Sequence, residues 1–113
     1  MIKTDKRADI MDVALNLIAE RGFHDSPMAL IAKEAGVAAG TIYRYFESKD
    51  ELIIALHRDL ESRINEMILK EYPAEESIRE KFLYMNRKLL KYFMEHPLHF
   101  RYMEQFFNSP YGL

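Results

Sequence analysis

The stretch from Ile31 to Lys49, IAKEAGVAAGTIYRYFESK, constrains this chain more than any other, because a glycine divides two short apolar helical patterns a few residues apart. Ala32 is small where one helix must cross another closely. Gly36, four residues later, stands where a sharp turn calls for positive φ, a conformation that a side chain resists. Val37 and Ile42 supply the buried side of the helix that follows. That helix begins with Ala38-Ala39-Gly40-Thr41, whose small side chains let backbone amides and the helix dipole come close to an anion. Tyr43 and Tyr45 then add two hydroxyls on stiff rings. Two short helices joined by a tight turn, the second leading with its N-terminal end, fit the geometry in which a recognition helix enters the major groove.

The flanking sequence reads as helix on both sides. Thr4 or Asp5 can cap a first helix that carries Ile10, Val13, Ala14, Leu17 and Ile18 at helical spacing. Gly22 suits a left-handed C-terminal position, with Phe23 folding back onto the stripe. Ser26-Pro27 predicts an N-cap followed by proline at the first helical position of a second helix, about 27–35; a third spans about 39–46. Ser48 and Glu51 form a Ser-x-x-Glu capping box for a fourth helix of about six turns, which carries Leu52, Ile53, Leu56, Leu60, Ile64, Met67 and Ile68 to the Tyr72-Pro73 break. A fifth is expected over 74–95 with Ile78, Phe82, Met85, Leu89 and Phe93 inward, stopping at His96-Pro97. A sixth, short and aromatic, covers 97–108 before a Ser109-Pro110-Tyr111-Gly112 turn. The fold class is all-α.

Bulk properties narrow the function. With 113 residues, 49% of them hydrophobic, the chain has material for an ordinary core. A net charge of −2 gives no global basic footprint, so nucleic-acid affinity has to come from local placement. Lys33, Arg44 and Lys49 outweigh Glu34 and Glu47 by a single charge in the 26–49 segment, and Lys3, Lys6 and Arg7 can add a basic N-terminal arm, which Asp5 and Asp9 dilute. Cysteine is absent, which removes thiolate chemistry and fits a reducing compartment. No apolar run is long enough for a membrane span and none resembles a signal peptide, so the expected location is the cytoplasm. Nothing reads as an enzyme: His24-Asp25-Ser26 are adjacent and cannot align as a triad, and neither a Gly-rich phosphate loop nor HExxH occurs. His96 and His99 fall short of a metal-ligand set, and no cofactor motif appears.

From about Asp9 to Leu56, the first amphipathic helix ending in RGF, then IAKEAGVA, GTIYRYF and SKDEL, resembles in order and spacing the N-terminal DNA-binding domain of the TetR/AcrR family of bacterial transcriptional regulators. The resemblance implies a three-helix helix-turn-helix head over 1–56 and, over 57–113, a linking helix with the first helices of an α-helical ligand-binding and dimerisation domain. It implies double-stranded operator DNA as partner, a homodimer on a palindromic site, repression, and release by a small apolar effector that moves the fourth helix. Family members are longer, so this chain is expected to be part of a longer protein, with the dimer interface beyond residue 113.

By the same resemblance the DNA-contacting residues are Ser26, Ala39, Gly40, Thr41, Tyr43, Arg44, Tyr45 and Lys49. Tyr43, Tyr45 and Lys49 match backbone-phosphate positions, and Gly40 matches one where the duplex comes close. Arg44 can fork onto guanine or phosphate, or simply pair with Glu47. A cation at a helix N-terminus opposes the macrodipole, so Lys49 is better explained by a nearby anion than by helix stability. The chain departs from the family pattern at Pro27, Ala29, Ala38 and Ala39, where polar contacts are usual. Binding would then lean on backbone fit and methyl contacts. A helical interaction module that keeps the fold but has lost DNA affinity is the alternative. In the second half, Met67, Phe82, Met85, Tyr102, Met103 and Phe106 are candidates for an effector pocket, although aromatics and methionines at helical spacing are more often core.

Overall fold

A computed structural model of the chain describes residues 5–112, and these are helical throughout apart from connections. The helices are α1 (Lys6–Arg21), α2 (Met28–Glu34), α3 (Ala39–Tyr45), α4 (Lys49–Leu69), α5 (Ile78–Glu95) and α6 (Pro97–Phe107), followed by a 3₁₀ turn at Pro110–Gly112. Lys3 of the expected basic arm and Thr4 lie outside the described residues. None of the described helices is long and apolar enough to cross a membrane.

Local chemistry sets most of the boundaries. Asp5 caps α1, its carboxylate accepting from the amides of Arg7 at 3.0 Å and Ala8 at 3.3 Å. Ser48 accepts from the Glu51 amide at 3.1 Å, while the Glu51 carboxylate reaches past the cap to the Glu47 amide at 2.9 Å. The capping box is thus displaced by one residue on its return arm. Gly36 has φ +73° and closes the α2–α3 turn, its amide and that of Val37 donating to Lys33 O and Ala32 O. Gly22 also has positive φ, but its ψ of 168° is extended. The residue therefore lies outside the left-handed helical region that the expected cap requires.

Two helix starts differ from expectation. Pro27 is itself the N-cap of α2, and Ser26 turns inward, its hydroxyl donating to Gly22 O at 2.8 Å. The fifth helix starts at Ile78 rather than 74, because Ser77 caps it by accepting from the Glu80 amide at 3.2 Å. Residues 72–77 instead turn on bonds from Ala74 to Tyr72 O and Glu76 to Pro73 O.

One core runs through both halves. Ile10, Ala14 and Ile18 of α1 are buried with Ile31, Ile42 and Phe46 of the turn motif, Leu52, Ile53, Leu56 and Leu60 of α4, and Tyr102 and Phe106 of α6. Each large aliphatic side chain so buried contributes about 1.5–3 kcal/mol. Tyr102 sits at the junction, fully buried, with its hydroxyl donating to Ile53 O at 2.7 Å. Gln105 donates to Ala19 O at 3.0 Å, which ties α6 to the end of α1. The expected inward stripe of α5 holds at Leu89 and Phe93, which pack against the core, and is corrected at Ile78, Phe82 and Met85. Ile78 is 84% exposed, Phe82 63% and Met85 39%, and no residue of α5 is fully buried. The helix meets its neighbours along the edge carrying Tyr84, Leu89, Tyr92 and Phe93, so its remaining apolar face has no partner among the described residues.

Candidate nucleic-acid interface

The tip of α3 is built for close approach from outside. Ala38 is the N-cap, supplies no side-chain hydrogen bond and accepts through its carbonyl from Thr41 and Ile42. The first amides of a helix have no intrahelical acceptor, so those of Ala39 and Gly40 remain available on an exposed surface. Gly40 has no internal reason to be glycine: a Cβ there would meet nothing within 4 Å, and its φ is ordinary. A helical glycine costs about 0.5–1 kcal/mol relative to alanine, and nothing inside the molecule offsets that cost. Ile42 is fully buried and anchors the helix, which leaves Tyr43 at 51% exposure, Arg44 exposed and Tyr45 at 38%. Arg44 forms no ion pair with Glu47 among the described residues.

The other two expected contact residues are placed differently. Ser26 does not join the tip, being wholly buried on Gly22 O. Lys49 is half-buried at the start of α4, and its ammonium donates to the Phe23 carbonyl in the α1–α2 connection. Burial pushes its pKa down, and the nearby Asp25 and Asp50 carboxylates oppose that shift. Any phosphate that Lys49 takes has to compete with this carbonyl. The structure thus brings together Ala39, Gly40, Thr41, Tyr43, Arg44 and Tyr45 on one short helix, with Lys49 beside them on the next.

Sequence reasoning passed over Tyr111, Asp50 and His57 as packing residues and assigned Phe106 to a pocket, yet these side chains contact one another or the α1–α2 connection. Tyr111 donates to the Asp50 carboxylate, and that hydrogen bond, with burial and the carboxylate's charge, pushes the phenol's pKa up. Its ring meets Phe23 edge-on at 5.6 Å. Phe106 stacks flat on His57, centroids 3.9 Å apart, and buried His57 Nδ1 has no partner among the described residues. These pairs are separated by about fifty residues or more, and no local pattern announces them.

Residues 10–56 match the family model described as bacterial regulatory proteins, tetR family. Residues 10–56 are a TetR-family domain. It is 42% identical over 79 residues to the fatty acid metabolism regulator protein of Bacillus subtilis (strain 168), covering 70% of this chain and 38% of that relative. An uncharacterized HTH-type transcriptional regulator of Haemophilus influenzae is 31% identical over 108 residues, 96% of this chain and 58% of the relative. A TetR family transcription regulator from Marinobacter aquaeolei VT8 superposes with a TM-score of 0.84 at 27% identity, over 94% of this chain and 56% of that one. The chain therefore spans between 38% and 58% of the length of these three proteins.

The helices behind the TetR-family head enclose an apolar groove of about 390 Å³ between α4, α5 and α6, floored by Ile64, Leu89, Phe93 and Met103. Of the six residues expected to form a pocket, only Met103 lines it. Tyr102 and Phe106 are core, packed toward Ile53 and His57, and Phe82 and Met85 lie on the exposed face of α5. Met67 borders a separate cleft of about 120 Å³ with Lys88 and Tyr92. His96 and His99 stack 4.8 Å apart, and His99 Nδ1 lies 2.8 Å from the Tyr92 hydroxyl.

Proposed function

We propose that this chain is the DNA-binding head and the beginning of the effector domain of a transcriptional repressor, divided at about residues 1–56 and 57–113. The protein binds a palindromic operator as a homodimer and is released by a small apolar effector. One observation carries the DNA-binding part. The exposed tip of α3 combines uncapped amides with a glycine that no intramolecular contact requires. Gly40 and Ala39 admit the duplex backbone to the helix N-terminus, Thr41, Tyr43 and Tyr45 donate to phosphates, and Arg44 reaches phosphate or a base edge. Lys49 exchanges Phe23 O for a phosphate. The missing polar side chains at Pro27, Ala29, Ala38 and Ala39 make readout lean on fit and methyl contacts.

Release follows from how the head is held. The first turn of α4 carries Lys49 and Asp50, and the same helix lines the apolar groove at Ile64. A ligand wedged between α4 and α6 tilts α4 and, with it, the spacing of paired recognition helices. Selection of bound genomic fragments followed by a salt titration tests the DNA reading. Affinity should fall steeply with salt, and Lys49→Ala should flatten the log–log slope by about one unit while weakening all sequences alike. A salt-independent or absent signal would instead favour an interaction module of the same fold.

A further inference from the structure

The rim of the α4–α5–α6 groove has a sign. Glu61 and Glu104 both line it, and no lysine or arginine does. Arg101 lines the adjoining recess beyond Phe100 with Leu90 and Met94, and Glu104 reaches that recess as well. Neither carboxylate forms an ion pair with a lysine or arginine among the described residues: Glu61 pairs with the His57 imidazole at 3.2 Å, and Glu104 makes no ion pair. Three phenylalanines line the same groove, Phe93 half-buried at its floor and Phe100 and Phe107 exposed. Phe93 and Phe100 meet at 5.3 Å with planes at 69°, Phe100 is 48% exposed and Phe107 is 56% exposed. Ring faces attract cations, and a carboxylate at the edge of an apolar trough adds to that attraction. An anionic amphiphile laid in the same trough sets its head against two like charges.

Building on the effector reading above, we infer that the groove selects lipophilic cations, molecules with an aromatic or branched apolar body around a permanent positive charge, and disfavours carboxylate-headed chains. Its volume lies in the range of small-molecule sites. The charge is read by Glu61 and Glu104, and the apolar body by Phe93, Phe100 and Phe107.

Tetraphenylphosphonium and tetraphenylborate test this directly, because the two ions share shape and apolar surface and differ in charge sign. Isothermal titration of the 113-residue chain should give at least about tenfold tighter binding for the phosphonium. The Glu61→Gln, Glu104→Gln double variant, both positions being exposed and outside the core, should narrow that gap to about threefold or less. Circular dichroism on the variant checks that the fold persists. Equal binding of the two ions, preference for the borate, or a gap unchanged in the double variant would overturn the charge assignment and leave the groove standing as an effector site. Failure of both ions to bind would remove the effector reading itself, and the cation preference with it.

Discussion

Gly36 and Gly40 lie four residues apart with open space around both, and alanine at the two positions should move stability in opposite directions. At Gly36 a Cβ meets nothing within 4 Å, so the whole penalty is conformational. With φ at +73°, alanine should cost about 1–2 kcal/mol, roughly the left-handed penalty for an L residue, and valine more because of its β-branch. At Gly40 the backbone is ordinary helix and space is again open. Alanine there removes unfolded-state entropy and should stabilise by about 0.5 kcal/mol, at the low end of the glycine-to-alanine range because the site lies in the first turn. Urea unfolding followed by circular dichroism resolves both changes. Fluorescence anisotropy on a selected duplex supplies the second axis. Gly40→Ala should lose at least about tenfold in affinity while gaining stability, since a methyl at the tip holds the phosphate away from the amides. Undiminished DNA binding by Gly40→Ala would refute close backbone approach at the tip, and a stabilised Gly36→Ala would refute the turn argument.

Other outcomes follow from the same contacts. Tyr43→Phe should weaken DNA binding several-fold and leave stability within about 0.5 kcal/mol, because the ring is half exposed and its hydroxyl has no partner among the described residues. Normal binding in an anisotropy titration would remove Tyr43 from the interface. Tyr102→Phe should cost about 1 kcal/mol at neutral pH through the lost bond to Ile53 O. Burial holds the Tyr102 phenol well above its ordinary 10.0, so the folded chain keeps this proton where the unfolded chain loses it. That stability is complete below pH 10 and declines as pH rises beyond it, and Tyr102→Phe should flatten the alkaline decline in a pH series of urea melts. Gly112→Ala should destabilise by about 1–3 kcal/mol, since its Cβ would sit 2.7 Å from Phe106 O and Phe107 Cα, and a thermal melt reads the loss.

What was legible in the sequence is what is local. Asp5, Gly36 and the Ser48–Glu51 pair announce their roles within four residues; of the expected stripes, Ile10, Ala14 and Ile18 of α1 and Leu52, Ile53, Leu56, Leu60, Ile64 and Ile68 of α4 are buried, whereas Val13, Leu17 and Met67 are only half-buried and Met11, Leu15 and Ala19 join the α1 face unannounced. The α5 stripe packs inward at Leu89 and Phe93 but fails at Ile78, Phe82 and Met85 for a physical reason. Periodicity says that a face seeks cover, not that this length of chain supplies it, and Ile78 and Phe82 stay open. Ser77–Glu80 carries the same capping signal as Ser48–Glu51, and was hidden by the helix-favouring Ala74-Glu75-Glu76 ahead of it.

The candidate site divides in the same way. The α3 tip was readable because its residues are consecutive. Ser26 was misjudged as a cap because its acceptor, Gly22 O, depends on how the chain leaves α1. The Phe23 carbonyl that holds Lys49, the phenol that holds Asp50 and the ring stacked on His57 are tertiary partners 26 to 61 residues away. The expected pocket residues failed to converge because Tyr102 and Phe106 were needed to join α6 to the head, which moved the groove to the other side of α6, at Phe100, Met103 and Phe107.

The most direct test is a nitrogen–proton NMR titration of the chain with a selected duplex at low salt. The backbone amides of Ala39, Gly40 and Thr41 should shift most, together with Lys49, and the shifts should reverse on adding salt. Perturbation centred instead on the exposed face of α5, with the α3 amides unmoved, would contradict DNA engagement through that helix tip.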